Sequence, residues 1–351
     1  MQYAQGKAPC VEEIKMKTVN DTAKALAKKM DVSKSTVSRV LRHCGGVDTE
    51  LRNEILKAAA ESGNYAVGAC DIYVILPQVP KYFWERAYDG VARQTCEPYR
   101  MKLNICTKST DSETALFYLD EAEKMGARVI IIAMQATKML KERLEALAKD
   151  RLVILLSEYF ENESCFYVGG DPLEEGRAVG KLWREHYADA EPIILDFYEN
   201  TNPSLRTEGF VREIADLQSD PQRIRIPNEA YANMKTAPSQ IARMLFGNPI
   251  FEQKGKKCCI YCPIGGIDIS LAIYKLKLAD PPICICHDVS VIGDPCLADT
   301  PSTHCDAVCM QDVFAQAKEA TSLAIAYLNG GPLPTSRNTI LPPKVSRTRM
   351  G

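Results

Sequence analysis

The sequence predicts an α/β protein, with an all-α helix-turn-helix domain at the N-terminal end followed by two doubly wound parallel-sheet lobes. Three observations predict it. Residues 17–66 carry helical periodicity, and Asp31–Leu41 (DVSKSTVSRVL) reads as a tight turn and a second, polar-faced helix. From Asp71 onward, short continuous apolar runs alternate with amphipathic stretches, as strands buried on both faces do beneath covering helices. That alternation restarts near Phe166, so two such sheets stand in series.

The N-terminal elements follow from side-chain spacing. Asp21–Met30 sets Ala23, Leu26, Ala27 and Met30 on one face and Lys24, Lys28 and Lys29 on the other. Only Asp31 separates this helix from Val32, so the link is tight. Ser33 suits the cap of the next helix, where its oxygen accepts from an orphan backbone N–H. Val37, Val40 and Leu41 turn inward, and Lys34, Ser35, Ser38, Arg39 and Arg42 stay outside. After Cys44-Gly45-Gly46 a third helix is expected, with Asp48 as cap and Leu51, Ile55, Leu56 and Ala59 as its buried stripe. Hydrogen-bonding and cationic side chains on one helix face suit base edges and phosphates of duplex DNA. A solvated helical hairpin is the bland alternative; the tight turn, the Ser/Thr/Arg content and the N-terminal position weigh against it.

In the remainder, strands are expected at Ile72–Leu76, Met101–Cys106, Arg128–Ala133 and Leu152–Leu156, with helices at Trp84–Tyr99, Ser112–Met125 and Met139–Lys149 between them. The second series has strands Phe166–Val168, Pro192–Phe197, Gln222–Ile226, Lys257–Tyr261, Ile283–Cys286 and Val289–Ile292. Its helices are Glu174–Tyr187, Arg206–Leu217, Pro238–Phe246 and Asp268–Leu276. Two such sheets place a ligand crevice at the carboxyl ends of their strands, between the lobes.

Composition narrows the function classes. The chain has 351 residues, 46% hydrophobic and 25% charged, with a net charge of −2, which argues against a protein that coats nucleic acid indiscriminately. Residues 17–66 differ, with nine Lys/Arg against six Asp/Glu, so positive charge gathers where phosphates would be met. No run approaches a membrane span of about 20 apolar residues, and MQYAQGKAPC lacks the apolar core of a signal peptide. A cytoplasmic location without membrane contact is therefore expected. Met16-Lys17 lies just ahead of the first helix, so residues 1–16 are expected to be a disordered extension, with a mis-assigned start as the alternative.

Fourteen cysteines in a reducing cytosol remain thiols. Cys106, Cys258, Cys259, Cys284 and Cys286 sit in apolar runs, where a thiol serves as a small hydrophobe. Two groups stand out as metal ligands: Cys258, Cys259 and Cys262 with Cys284, Cys286 and His287, and His304 with Cys305 and Cys309. Neither has paired C-x2-C spacing, and adjacent strand residues point to opposite faces, so structural thiols without a metal or other cofactor are expected.

The headpiece VSKSTVSRVL, the third helix ending in Gly63-Asn64-Tyr65 and the two serial lobes together resemble the lactose-repressor (LacI/GalR) family. The resemblance spans roughly residues 17–351. It is specific in the headpiece and looser in the lobes, through Asp171–Gly180, Arg206–Phe210, Asp288–Gly293 and Leu341-Pro342-Pro343. It implies lobes of the type 1 periplasmic-binding-protein kind. It also implies a homodimeric transcription regulator, a repressor in the main reading, that binds a double-stranded DNA operator under the control of a small-molecule effector of the sugar or polyol class. By the same resemblance, Lys34, Ser35 and Arg39 occupy base-reading positions, while Thr36 and Ser38 meet phosphate. Arg206 matches the arginine that grips effector hydroxyls with its planar fork. Phe83 and Trp84, beside Tyr82, stand where aromatic faces stack on a sugar ring, with core packing as their alternative. Asp294 could accept hydroxyl bonds, as could Asp171 unless it caps a helix; Gln78 is a weaker candidate. The expected divisions are the helix-turn-helix domain (17–66), a linker (67–71) and a two-lobed effector domain (72–351). The first lobe takes about 72–168 and 298–329, and the second about 169–297 and 330–351.

Two departures from the family pattern carry expectations of their own. Tyr65 is followed by AVGACD and then a strand, which leaves no room for a hinge helix and offers no leucine to wedge into the minor groove. Weak bending at the operator centre is expected, with altered half-site spacing. Cys262–Asp268 (CPIGGID) stands where many relatives hold an Asn-Asp pair toward their sugar, so the effector is expected to be an unusual polyol or a non-sugar.

An α/β enzyme is disfavoured: no G-x-G-x-x-G follows a strand, and neither a phosphate-loop nor a G-x-S-x-G motif is present. The four histidines (43, 186, 287 and 304) form no nucleophilic set by spacing. A solute-binding or sensor protein with a vestigial headpiece is the other alternative.

Overall fold

A computed structural model describes residues 23–41, 47–48, 51, 54–55, 58–59, 70–78, 81–94, 96, 99–218, 220–231, 237–246, 248, 257–264, 272–273, 276, 281–288 and 305–347. The predicted Val289–Ile292 strand, Leu56, Arg42 and Asp294, and the 1–16 and 67–69 segments, lie outside them.

Helix α1 (23–30) and α2 (Lys34–Leu41) form the turn unit, and helical residues 51, 54–55 and 58–59 mark α3. Their core is Ala23, Leu26, Val37, Val40, Ile55, Ala58 and Ala59, with Met30, Val32 and Leu51 at its margin. Asp31 has φ +54°, and Val32 N donates to Ala27 O at 3.1 Å. This left-handed turn closes α1 and frees the chain to start α2 three residues later. Asp tolerates the left-handed well better than most side chains do. Ser33 Oγ then accepts from Thr36 N at 3.0 Å, capping α2.

The first sheet has the order β11-β5-β4-β3-β1-β2, and the second β12-β10-β9-β8-β6-β7. In the first, β1 (Ile72–Pro77) lies parallel between β2 (Met101–Cys106) and β3 (Val129–Ile132), pairing Ile72 with Met101 and with Val129. Next come β4 (Leu152–Leu156), β5 (Phe166–Gly169) and β11 (Asn338–Ile340). Odd positions of β1 (Tyr73, Ile75) join a core beneath α5 (Ser112–Lys124) and α6 (Lys138–Leu147). Even positions (Ile72, Val74, Leu76) join one beneath α4 (Lys81–Ala92) and α12 (Val313–Leu328). Each fully buried aliphatic side chain there contributes about 1.5–3 kcal/mol.

The second sheet comprises β6 (Glu191–Asp196), β7 (Gln222–Arg225), β8 (Cys258–Cys262), β9 (Ile283–His287), β10 (Ala307–Met310) and β12 (Lys344–Arg347). All pair in parallel except β12, which runs antiparallel to β10. One face carries α7 (Pro172–His186) and α8 (Thr201–Ile214). The other carries α9 (Asn228–Tyr231), α10 (Ala237–Phe246) and the helical residues 272–273 and 276 of α11.

The chain passes between the sheets three times: after β5, after β10 and between β11 and β12. This corrects the expected division of 298–351. Strand β10 belongs to the second sheet and α12 to the first, whereas β11 returns to the first and β12 to the second. Each strand is only three or four residues long, too short to show a periodicity of its own. Helix α4 starts at Lys81 and ends at Ala92, short of the expected Tyr99. Helix α8 starts at Thr201, five residues earlier than expected, because Pro203 sits in the first turn, where it costs no hydrogen bond.

Candidate functional site: a polar helix face and an interlobe cleft

On α2 the side chains of Lys34, Ser35 and Arg39 are exposed, and those of Thr36 and Ser38 are half-buried. The hydroxyls of Ser33, Ser35 and Thr36 form one cluster, with Ser33 sharing hydrogen bonds with Ser35 at 2.8 Å and Thr36 at 2.7 Å. Lys34 and Arg39 therefore stand out on a helix whose apolar side, Val37 and Val40, is sealed in the core. Such a face offers long cations and short hydroxyls to a groove.

The second site lies where the strand ends of the two sheets meet. Ser157 follows β4 and Asp288 follows β9, and both have left-handed backbone, φ +63° and +49°. Non-glycine residues in this region store strain and concentrate at functional sites. Asp288 is held by Gln311, whose backbone N donates to Oδ1 at 3.0 Å and whose Nε2 donates to Oδ2 at 2.8 Å. Gln311 lies on the crossing segment after β10. Asn202 of α8 spans the lobes, its Nδ2 donating to Ser157 O at 2.9 Å and its Oδ1 accepting from Tyr159 N at 3.3 Å.

Arg206 sits at the centre, 3% exposed. Its Nε donates to Glu175 Oε2 at 2.7 Å, its Nη1 donates to Pro263 O at 2.9 Å, and its Nη2 lies 3.6 Å from Asp288 Oδ2. Burial opposes its charge, but Glu175 and Asp288 outweigh that and raise its pKa. One guanidinium faces several carboxyls here. Burial pushes Glu175 up to about 7, Arg206 pulling it down and Asp288 pushing it further. Glu158 is likewise pushed up to about 7 by burial, against Arg206 and with Asp288. Behind them Tyr261 Oη and His287 Nε2 share a hydrogen bond of 3.0 Å, and burial with nearby Arg206 pushes His287 well down, toward its neutral form.

The structure brings only part of the expected effector set together. Arg206 is buried in the second lobe with two donor edges already engaged. Trp84 is 2% exposed and packs into the core between sheet and helices, so it is corrected from a sugar-stacking to a packing residue. Half-buried Phe83 sits edge-on to it at 4.9 Å. The reason is that α4 begins at Lys81, ahead of both rings, and turns the indole under the helix. Asp171 caps α7, accepting from Leu173 N at 3.0 Å and Glu174 N at 3.2 Å. Gln78 is exposed beyond β1, its backbone N donating to Cys106 O. The sequence reading missed Ser157, Glu158, Glu175, Asn202 and Gln311 and gave Asp288 no role. The one available signal was position at a strand's carboxyl end, which marks Ser157, Glu158 and Asp288.

Residues 22–66 match the model of the lacI family of bacterial regulatory proteins. No curated protein matches the chain. Among solved structures, the chain is similar to GanP, a glucose-galactose binding protein from Geobacillus stearothermophilus, at 15% identity and a TM-score of 0.64, over 79% of this chain and 97% of that one. It is similar to an ABC transporter solute binding protein from Bacillus halodurans with bound myo-inositol, at 12% identity and TM-score 0.64, over 81% and 96%. A chain from Bacteroides fragilis assigned as a LacI transcriptional regulator aligns at 12% identity and TM-score 0.63, over 79% and 96%. The chain thus joins a LacI-type helix-turn-helix to a fold of the periplasmic-binding-protein kind.

Proposed function

We propose that this chain, a LacI-type headpiece joined to a two-lobed sensor, is a sequence-specific DNA-binding transcription regulator, a repressor, controlled by a small molecule held between its lobes. One observation carries the reading: α2 presents Lys34 and Arg39 outward from a capped, core-sealed turn unit, while the lobes behind it converge on a buried polar cluster. Supporting it, solved neighbours of the same fold bind glucose, galactose or myo-inositol, which makes a sugar or polyol the favoured effector class. Arg206 Nη2, 3.6 Å from Asp288 Oδ2, is the donor this reading assigns to an effector hydroxyl, which would exchange for that contact. The effector changes operator affinity by binding one interlobe arrangement more tightly than the other. The working form is a homodimer reading a symmetric operator, without catalysis and in the cytoplasm. The short 67–71 link brings little bending of the operator centre.

The test has two arms. Selection from random duplex at physiological salt is expected to enrich a symmetric sequence. A thermal-shift screen of sugars and polyols is expected to find one that raises the melting midpoint by mass action and changes affinity for the enriched duplex. No enrichment with or without any compound would defeat the proposal.

A further inference from the structure

Spacing along the chain favours structural thiols, but the second sheet gathers its cysteines on one face. Side chains alternate along a strand, so Cys258 and Cys262 share a face of β8, and Cys284 and Cys286 a face of β9. The parallel register sets Cys262 beside Cys286 and Ile260 beside Cys284. Cys305 enters from the segment leading into β10, where Asp306 N donates to Cys284 O at 2.8 Å. The sulfurs of Cys284 and Cys286 are 3.2 Å apart, and those of Cys284, Cys286 and Cys305 all lie within 4.8 Å of one another. Cys262, Cys284, Cys286 and Cys305 are at most 1% exposed and belong to one core cluster.

The Cys284 and Cys286 thiols share a hydrogen bond, which accounts for one pair but not for Cys305 beside both. Thiolates around one tetrahedral cation converge in this way: metal–sulfur bonds of about 2.3 Å place the sulfurs about 3.8 Å apart. The usual paired-knuckle spacing is absent because these ligands come from two adjacent strands and the segment leading into a third, and period-2 alternation brings Cys284 and Cys286 to one side. We propose that Cys284, Cys286 and Cys305, whose sulfurs already converge, form a buried thiolate site for a soft divalent cation of the zinc class, and that Cys262, whose thiol here donates to Ile264 O, turns from that carbonyl to complete a tetrathiolate. On binding, four S–H bonds are exchanged for four sulfur–metal bonds, four protons leave to solvent, no oxidation state changes, and the filled site carries a net charge of −2. His287 and Asp288 follow Cys286 directly, so the cation pins the strand end that reaches the cleft.

The full chain, purified under reducing conditions and incubated with zinc alone, is expected to retain one equivalent through gel filtration. Cobalt in its place is expected to give the sulfur-to-metal charge-transfer and visible d–d bands of a tetrahedral thiolate site. Cys286→Ser should lose the cation, whereas Cys309→Ser, in the core on the opposite face of the same sheet, should keep it. The cobalt spectrum of the unmutated chain stands even if Cys286→Ser misfolds. Folded, unmutated chain that retains no zinc, an octahedral cobalt spectrum, or an intact mass two hydrogens light with a Cys284–Cys286 disulfide would each overturn the site.

Discussion

Gly176 of α7 lies directly against the backbone of Arg206 on α8: a Cβ at that glycine would stand 1.9 Å from the Arg206 carbonyl oxygen. Gly209 meets Leu173 O from the other side in the same way, at 2.0 Å. This close crossing sets Arg206 against Glu175, one residue before Gly176. Gly176→Ala is expected to push the helices apart and cost about 1–3 kcal/mol. A urea titration would read it, and an unchanged midpoint would show that the helices slide freely.

Arg206→Ala is expected to leave Glu175 buried without its cation and to destabilise the lobe by about 3–5 kcal/mol. Adding Glu175→Ala should recover part of that loss, because the uncompensated carboxyl goes too. The double-mutant cycle reads the coupling, and additive losses would refute it. In the folded fraction, the single variant is expected to lose effector response by calorimetry while still binding DNA.

The raised pKa of Glu175 gives stability a defined pH slope. From an ordinary 4.5 it rises to about 7, so in that window the folded chain holds a proton that the unfolded chain has released. This contribution is fully present below about 4.5 and is lost as pH rises through about 7. Glu175→Gln is expected to flatten part of the slope, with Glu158 supplying the remainder. Denaturation midpoints at about pH 5 and pH 7.5 compare the two proteins, and parallel curves would contradict the assignment.

Arg39→Ala is expected to reduce discrimination between the selected duplex and random DNA by about 1–3 kcal/mol, if its contact is to a base edge. Circular dichroism should stay unchanged, since the side chain is exposed. A uniform loss of affinity for all sequences would move Arg39 to a phosphate-binding role.

Much of this architecture was legible beforehand. The α1–α2 turn could be read because its helices are local: Leu26, Val37 and Val40 lie within a few turns of their partners. The strands β1, β3 and β4 were legible because burial on both faces leaves an unbroken apolar run. The cleft was legible only in outline. Trp84 offers the same residue type to a core and to a sugar, and only the start of α4 decides between them. Gln311 and Asn202 have no pattern that marks them.

The chain order of apolar and polar residues determined the N-terminal helices and two mainly parallel sheets, because periodicity acts over neighbouring residues. Tertiary structure decided which strands belong to which sheet, that one arginine meets Glu175 and Asp288, and that three cysteine sulfurs converge. Those outcomes depend on parallel register and on crossings between lobes, which bring together residues tens of positions apart in the chain.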